Sequence, residues 1–246
     1  MHKSLRVCVV AMSVFAVGCE KDDRPIQTAS AADVTTSASD STVNARGHSL
    51  VRVVNAVPGG KDIAVRIGEV TLFNEVKFGV VTDYRETALN IARFTVQAAG
   101  APDGVMVSEK DRLLMDGNRY TVFLISEDVS RASLRVVKDN VIPDSGKARV
   151  RVIHAAPGAP EMDITVVGAK DKLFSGVNFK REAGYADVTP ANVTLNVRAK
   201  GEAKVLLSIP HLELARGTST TIVITGSNRL DYFTFIDAPI PNPPKD

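Results

Sequence analysis

Val51-Arg52-Val53-Val54-Asn55-Ala56-Val57-Pro58-Gly59 returns 99 positions later, from 51 to 150, as Val150-Arg151-Val152-Ile153-His154-Ala155-Ala156-Pro157-Gly158. In each stretch a run rich in branched apolar residues is stopped by Pro-Gly, the pattern of a strand entering a tight turn. The correspondence continues outward. Asp62-Ile63 matches Asp163-Ile164, Phe73 matches Phe174, Val76 and Phe78 match Val177 and Phe179, Tyr84 matches Tyr185, and Gly100 matches Gly201. Gly117 then pairs with Gly217, ahead of the apolar runs Tyr120 to Ile125 and Thr221 to Thr225. Small drifts in spacing at turns are what a duplicated unit accumulates.

Each unit reads as all-β. Strands are expected at 50–56, 63–67, 91–97, 119–125 and 132–137, and again at 148–154, 162–167, 193–199, 203–209, 219–225 and 232–236. Turn residues separate them at roughly ten-residue spacing, which indicates a sandwich or small barrel. No stretch keeps helical periodicity for three turns, although Thr82 to Ile91 has room for a short helix. The expected architecture is two tandem Ig-like or transthyretin-like β-sandwich domains, residues 49–142 and 147–238, joined through Pro143-Asp144-Ser145-Gly146. The Pro-rich residues 239–246 cannot continue a ladder and are expected to trail as an extended tail.

The segment before the first unit reads differently. Lys3 and Arg6 precede Val7 to Gly18, a run without charge that is too short to span a bilayer and fits the apolar region of an export signal. The run ends in Ala16-Val17-Gly18-Cys19, which resembles the lipobox of bacterial lipoproteins, with Ala16 where Leu is usual. The resemblance implies removal of residues 1–18, a diacylglyceryl group on the Cys19 thiol and acylation of the new amino terminus. Several acyl chains on one residue give stable anchoring, at ~0.8 kcal/mol per buried CH₂. From Thr28 to Val43, twelve of sixteen residues are Ser, Thr or Ala. Residues 19–48 are therefore expected to act as a flexible tether.

Composition sets limits on partners and chemistry. The 30 Lys and Arg against 28 Asp and Glu become 28 against 28 once Lys3 and Arg6 are removed, which argues against nucleic acid as a partner. Cys8 and Cys19 are the two cysteines of the chain, so the paired units can hold neither a disulfide nor a thiolate metal site. The four histidines, His2, His48, His154 and His211, lack zinc-ligand spacing, and no Asp-x-Asp-x-Asp-Gly calcium loop or phosphate-cradling glycine loop occurs. No metal and no cofactor is expected.

Arg149 to Pro160, followed by Met162-Asp163-Ile164, resembles the opening of the bacterial domain of unknown function 4397, with its apolar strand, His-Ala-x-Pro turn and Asp between apolar residues. The resemblance extends over both units, the second matching better because Asn55 stands where His154 does. It implies a small β-sandwich in exported, often lipid-anchored bacterial proteins, and no activity.

His154 and Asp163 are the pair that invites chemistry, since the two side chains could meet across a hairpin as a general base and its orienting carboxylate. The structural alternative is that His154 bonds the loop backbone while Asp163 caps a turn. Asn55 and Asp62 in the first unit favour it, because they can hold a turn but cannot perform the same proton transfer. No G-x-S-x-G nucleophile elbow accompanies the pair, and no catalytic residue is assigned. The paired aromatics Phe73, Phe78 and Tyr84 with Phe174, Phe179 and Tyr185 either fill two equivalent cores or stack sugars, and the absence of Trp weighs against sugars. Glu109-Lys110-Asp111-Arg112 reads as a solvated loop, and His211, after Pro210, as a loop residue.

The expected function is a non-enzymatic interaction or structural module, anchored to the membrane through lipid on Cys19 in the bacterial cell envelope, with a protein or glycan partner. The alternative is an envelope hydrolase using His154 and Asp163.

Overall fold

Residues 48–88, 91–101, 108–126 and 132–237 are described by a computed structural model. The expected export signal, Cys19, the expected tether up to residue 47 and the Pro-rich tail lie outside the described residues.

The described chain is all-β, with sixteen strands in four sheets. The first eight are β1 (Ser49–Asn55), β2 (Ile63–Ile67), β3 (Val70–Val76), β4 (Arg85–Thr87), β5 (Ile91–Ala98), β6 (Ser108–Leu113), β7 (Arg119–Ile125) and β8 (Ser133–Lys138). They form the sheets β4-β1-β7-β8 and β3-β2-β5-β6. The next eight are β9 (Ala148–His154), β10 (Met162–Val166), β11 (Lys172–Val177), β12 (Glu182–Val188), β13 (Ala191–Ala199), β14 (Val205–Leu214), β15 (Ser219–Thr225) and β16 (Asp231–Asp237). They form β12-β9-β15-β16 and β11-β10-β13-β14, the same strand order displaced by eight. In each half one parallel pairing breaks an otherwise antiparallel pattern, Val53 opposite Val122 in β1–β7 and Val152 opposite Ile222 in β9–β15.

Each pair of sheets encloses its own core. Val51, Val53, Ile63, Val65, Phe94, Val96, Val122 and Leu124 fill the first. Val150, Val152, Met162, Ile164, Leu195, Val197, Ile222 and Ile224 fill the second. A third apolar cluster joins them, in which Val54, Phe123, Ile125 and Val137 from one sandwich meet Ile153 and Val223 from the other. The sheets β4-β1-β7-β8 and β12-β9-β15-β16 therefore pack on each other through their outer faces, and β9 and β15 are buried along their whole length. Sequence alternation predicts half-buried strands; here both faces are covered, because a neighbouring sandwich takes the place of solvent.

Several local expectations are corrected. The pairings with Phe73 and Val76, and with Phe174 and Val177, set Val65 against Ile164 and Ile63 against Met162, so Ala64 rather than Asp62 stands at the place of Asp163. Thr82 to Ile91 holds no helix in its described part. The stretch is extended because Thr82 is tied to β1, through its backbone N–H to Val53 O at 3.0 Å, and Arg85–Thr87 pairs with β1. Glu109 to Arg112 lies in β6, an edge strand that needs no apolar alternation because one side and one edge face water. His211 lies within β14 rather than a loop, at a register shift where its φ is +52°. Pro210 and that bulge interrupt an otherwise open edge.

Candidate functional site

The most heavily built polar cluster lies between the sandwiches and is made twice from equivalent residues. In the first half, Arg52 Nε donates to Thr121 Oγ1 at 2.8 Å, and the Thr121 hydroxyl donates to Asp139 Oδ2 at 2.7 Å. Tyr84 OH donates to the same Asp139 oxygen at 2.8 Å. In the second half, Arg151 Nε donates to Thr221 Oγ1 at 2.8 Å, Thr221 donates to Asp237 Oδ2 at 2.9 Å, and Tyr185 OH reaches that oxygen at 2.8 Å.

Each guanidinium then crosses to the other half. Arg151 Nη2 donates to Asp139 Oδ1 at 2.6 Å, and Arg52 Nη2 donates to Asp237 Oδ1. The exchange is reciprocal. Each Arg also lies 4.6 Å above the ring of its own half's tyrosine. Burial alone would push Arg151 down, but Asp139 and Asp237 outweigh it and hold the guanidinium charged. Burial and the adjacent carboxylates raise both tyrosines, keeping Tyr84 and Tyr185 as neutral donors. Such a cluster suits fixing a relative orientation, because breaking one pair leaves an uncompensated buried charge.

Further contacts fix the two sandwiches side by side with the strands running the same way. Near the starts of β7 and β15, Ser219 Oγ donates to Val141 O at 2.8 Å. Near the ends of β1 and β15, Thr225 Oγ1 donates to Ala56 O at 3.2 Å. The loops after β1 and β9 therefore emerge at one common end, and residue 48 and the inter-sandwich linker at the other.

His154 and Asp163 belong to different sheets, so the hairpin approach that their spacing suggests is not made: β9 pairs with β12 and β15, and β10 with β11 and β13. His154 is fully buried at the end of β9. Its Nδ1 accepts from Ala156 N at 3.3 Å and its Nε2 lies 3.1 Å from Pro160 O. An amide can only donate and a carbonyl can only accept, so the proton sits on Nε2. Burial lowers the imidazole's pKa, partly countered by the Pro160 carbonyl. Asn55 makes the equivalent turn, with Oδ1 accepting from Val57 N at 3.1 Å and Nδ2 donating to Val76 O at 3.0 Å.

Asp163 accepts Ser175 Oγ at 2.9 Å and Gly176 N at 3.0 Å on one oxygen, and Lys172 Nζ at 2.6 Å and Gly201 N at 3.0 Å on the other. Burial would raise this carboxyl, but Lys172, the two amides and Ser175 outweigh it and hold it well below the usual carboxylate range. Among the described residues no hydrogen bond or ion pair joins it to His154, and no group of His, Cys, Asp or Glu has the geometry to hold a metal ion.

The aromatic pairs divide by position. Phe73 and Phe174 fill the sandwich cores, while Phe179 joins the apolar cluster between the halves. Phe78 meets Phe233 edge-on across the halves, and the tyrosines belong to the polar cluster. Beyond His154, Pro157 to Pro160, Lys204 to Leu206 and Gly226 to Leu230 surround an open groove of about 430 Å³.

The recurrence of Arg52 and Arg151 within the repeated strand was the available sign of the polar cluster. Thr121 and Thr221, and Asp139 and Asp237, are the parts that sequence reasoning missed.

Residues 49–165 match the family model described as domain of unknown function DUF4397, which reaches from β1 into β10. No curated protein matches the chain. Among solved structures, a family-26 carbohydrate-binding module of Eubacterium rectale Amy13K, crystallised with maltoheptaose, is 12% identical, with 78% of this chain and 98% of that chain covered and a TM-score of 0.23. A candidate cell adhesion protein of Bacteroides uniformis ATCC 8492 is 10% identical over the same shares, with a TM-score of 0.26. The chain is thus similar to a family without an assigned activity over its first sandwich and the start of its second.

Proposed function

We propose that this chain is a lipid-anchored bacterial envelope protein whose two sandwiches, copies of one family domain, act together as a non-enzymatic interaction or structural module. The observation that carries this reading is the reciprocal Arg52–Asp237 and Arg151–Asp139 exchange. It holds both sandwiches parallel, so that their loop ends lie at one end, distal to residue 48. A catalytic centre has no need of such a device; a presenting scaffold does, since a fixed pair of binding surfaces raises avidity without new contacts.

The identical strand order of the two halves supports the duplication, and the lipobox-like Ala16-Val17-Gly18-Cys19 supports export and anchoring at the periplasmic or outer surface. The distal groove beside Pro157 to Pro160 is the favoured place for a protein or glycan partner, being concave and flanked by Lys204, Arg229 and apolar Val205 and Leu206.

The test is chemical cross-linking in native envelopes followed by isolation of the lipidated protein. A defined partner species that cross-links through Lys204, and is lost when groove residues are replaced, is the expected result. Ester, amide or glycosidic hydrolysis by the purified full chain that disappears in His154→Ala would contradict it.

A further inference from the structure

The end of the first sandwich from which the preceding chain departs carries exposed apolar side chains, and at two of these positions the second sandwich has polar ones. His48 O accepts Gly117 N at 2.9 Å, and Ser49 Oγ donates to Met115 O at 2.8 Å, so the 47 preceding residues leave beside Met115. Ile91 and Leu113 lie directly opposite each other at the start of β5 and the end of β6. Ile91 is 72% exposed, Leu113 62%, Met115 61% and Ile142 58%, among the most exposed large apolar residues described. Ile142 shares a groove of about 400 Å³ with Gly117, Asn118, Arg119 and Lys138, which joins it to the same end.

The duplicated fold supplies an internal control. Phe94 and Val96 of β5 correspond to Leu195 and Val197 of β13, which places Asn192 at the position of Ile91. Leu114 and Gly117 correspond to Leu214 and Gly217, which places Glu213 at Leu113 and Ala215 at Met115. Asn192 and Glu213 face each other in register as Ile91 and Leu113 do. Two facing positions are thus polar in one sandwich and apolar in the other, with fold and strand position held constant. Folding does not require Ile91 and Leu113 to be apolar.

We infer that Ile91, Leu113, Met115 and Ile142 form a lipid-contacting face that seats the first sandwich on the bilayer surface. This rests on the anchoring reading above. The occupant follows from where the chain leaves. With acyl chains on Cys19 and a tether of 29 residues to His48, the root-mean-square reach is about 30 Å, and a linked site is held at an effective concentration on the millimolar scale. A patch too small to bind membranes alone is then occupied, and Lys138 beside Ile142 favours anionic headgroups. In that orientation the distal loop groove points away from the membrane.

The test uses the full-length lipoprotein, purified from its host and reconstituted into vesicles of phosphatidylethanolamine and phosphatidylglycerol at about 3:1. An environment-sensitive fluorophore is placed on Leu113→Cys in one sample and on Glu213→Cys in another. The expected result is a blue-shifted emission at 113 with at least threefold stronger quenching by brominated lipid than at 213. Ile91→Asn with Met115→Ala should remove most of that difference while flotation with the vesicles and the circular dichroism spectrum stay unchanged. Equal quenching at both positions in floating protein overturns the lipid-contacting face and leaves the anchor standing. Concentration-dependent energy transfer between labels at 113, without lipid quenching, overturns it in favour of a second copy of the chain. Failure to float, with Cys19 unmodified, overturns both readings.

Discussion

Arg151 Nη2 and Asp139 Oδ1, from opposite sandwiches, meet at 2.6 Å with both side chains wholly withdrawn from solvent. The pair matters because its mirror relation, Arg52 with Asp237, occupies the equivalent place across the interface. Removing one partner of a buried pair strands the other charge, which typically costs ~3–5 kcal/mol. Asp139→Ala is therefore expected to lower stability by about that amount in chemical denaturation. Asp139→Ala with Arg151→Met should cost less than the sum of the single changes, because the double variant leaves less charge unpaired. Additive single and double effects would count against the coupling.

The buried imidazole of His154 gives a pH signature of known sign. Its folded-state pKa lies below the unfolded value of about 6.5, so above that value it contributes no pH dependence. As pH falls below about 6.5 the unfolded chain takes up the proton first, and stability declines until the folded-state pKa is reached. His154→Asn, which copies Asn55, should retain the turn and flatten the dependence in the window below about pH 6.5. Denaturation midpoints measured across that window check it.

Asp163 acts in the opposite direction. Its folded-state pKa is depressed, so its contribution is present above the unfolded value of about 3.9 and is lost as pH falls through and below it. Lys172 is nearly half exposed and contributes less than its short distance suggests, so the amides of Gly176 and Gly201 and the Ser175 hydroxyl carry most of the effect. Asp163→Ala is expected to cost ~2–3 kcal/mol at neutral pH, from hydrogen bonds to a charged acceptor. The difference from wild type should shrink in acid, as urea titrations at pH 7 and pH 3 would show.

Gly226 closes the turn between β15 and β16 at a φ of +106°, and a Cβ there would collide with the carbonyl oxygen of Arg229. Neither the conformation nor the space admits a side chain, so Gly226→Ala should destabilise by at least ~2 kcal/mol. The same turn walls the distal groove, and the substitution should also weaken partner cross-linking through Lys204. Gly158→Ala provides the comparison. Its φ is +72° but open space surrounds it, so the expected loss is the smaller conformational cost of ~1 kcal/mol. Thermal unfolding of the two variants separates the cases.

Much of the fold was legible because the core strands carry their own signal. Val51 to Asn55 and Val150 to His154 are dense in branched apolar residues and stopped by Pro-Gly, and they became the buried centre of each sandwich. Several of the edge strands were not legible. Arg85–Thr87, Ser108–Leu113 and Glu182–Val188 face water on one side, so their sequences need no apolar alternation. The face-to-face packing of the halves was hidden for a related reason. Arg52, Thr121, Arg151 and Thr221 have the chemistry of a solvated face, and only their mutual placement on neighbouring strands turns that polarity into a buried network. His154 and Asp163 show the converse: their residue types suggested catalysis, while sheet assignment gave each separate partners that sequence spacing could not reveal.

The claim on which the functional account depends is attachment of the sandwiches to the envelope through Cys19. Intact-mass and peptide mass spectrometry of the protein extracted from its native membrane tests it most directly. The account predicts a mature chain that begins at Cys19 and carries a thioether-linked diacylglyceryl group with an acylated amino terminus. A polypeptide that retains Met1 and bears an unmodified Cys19 would contradict it.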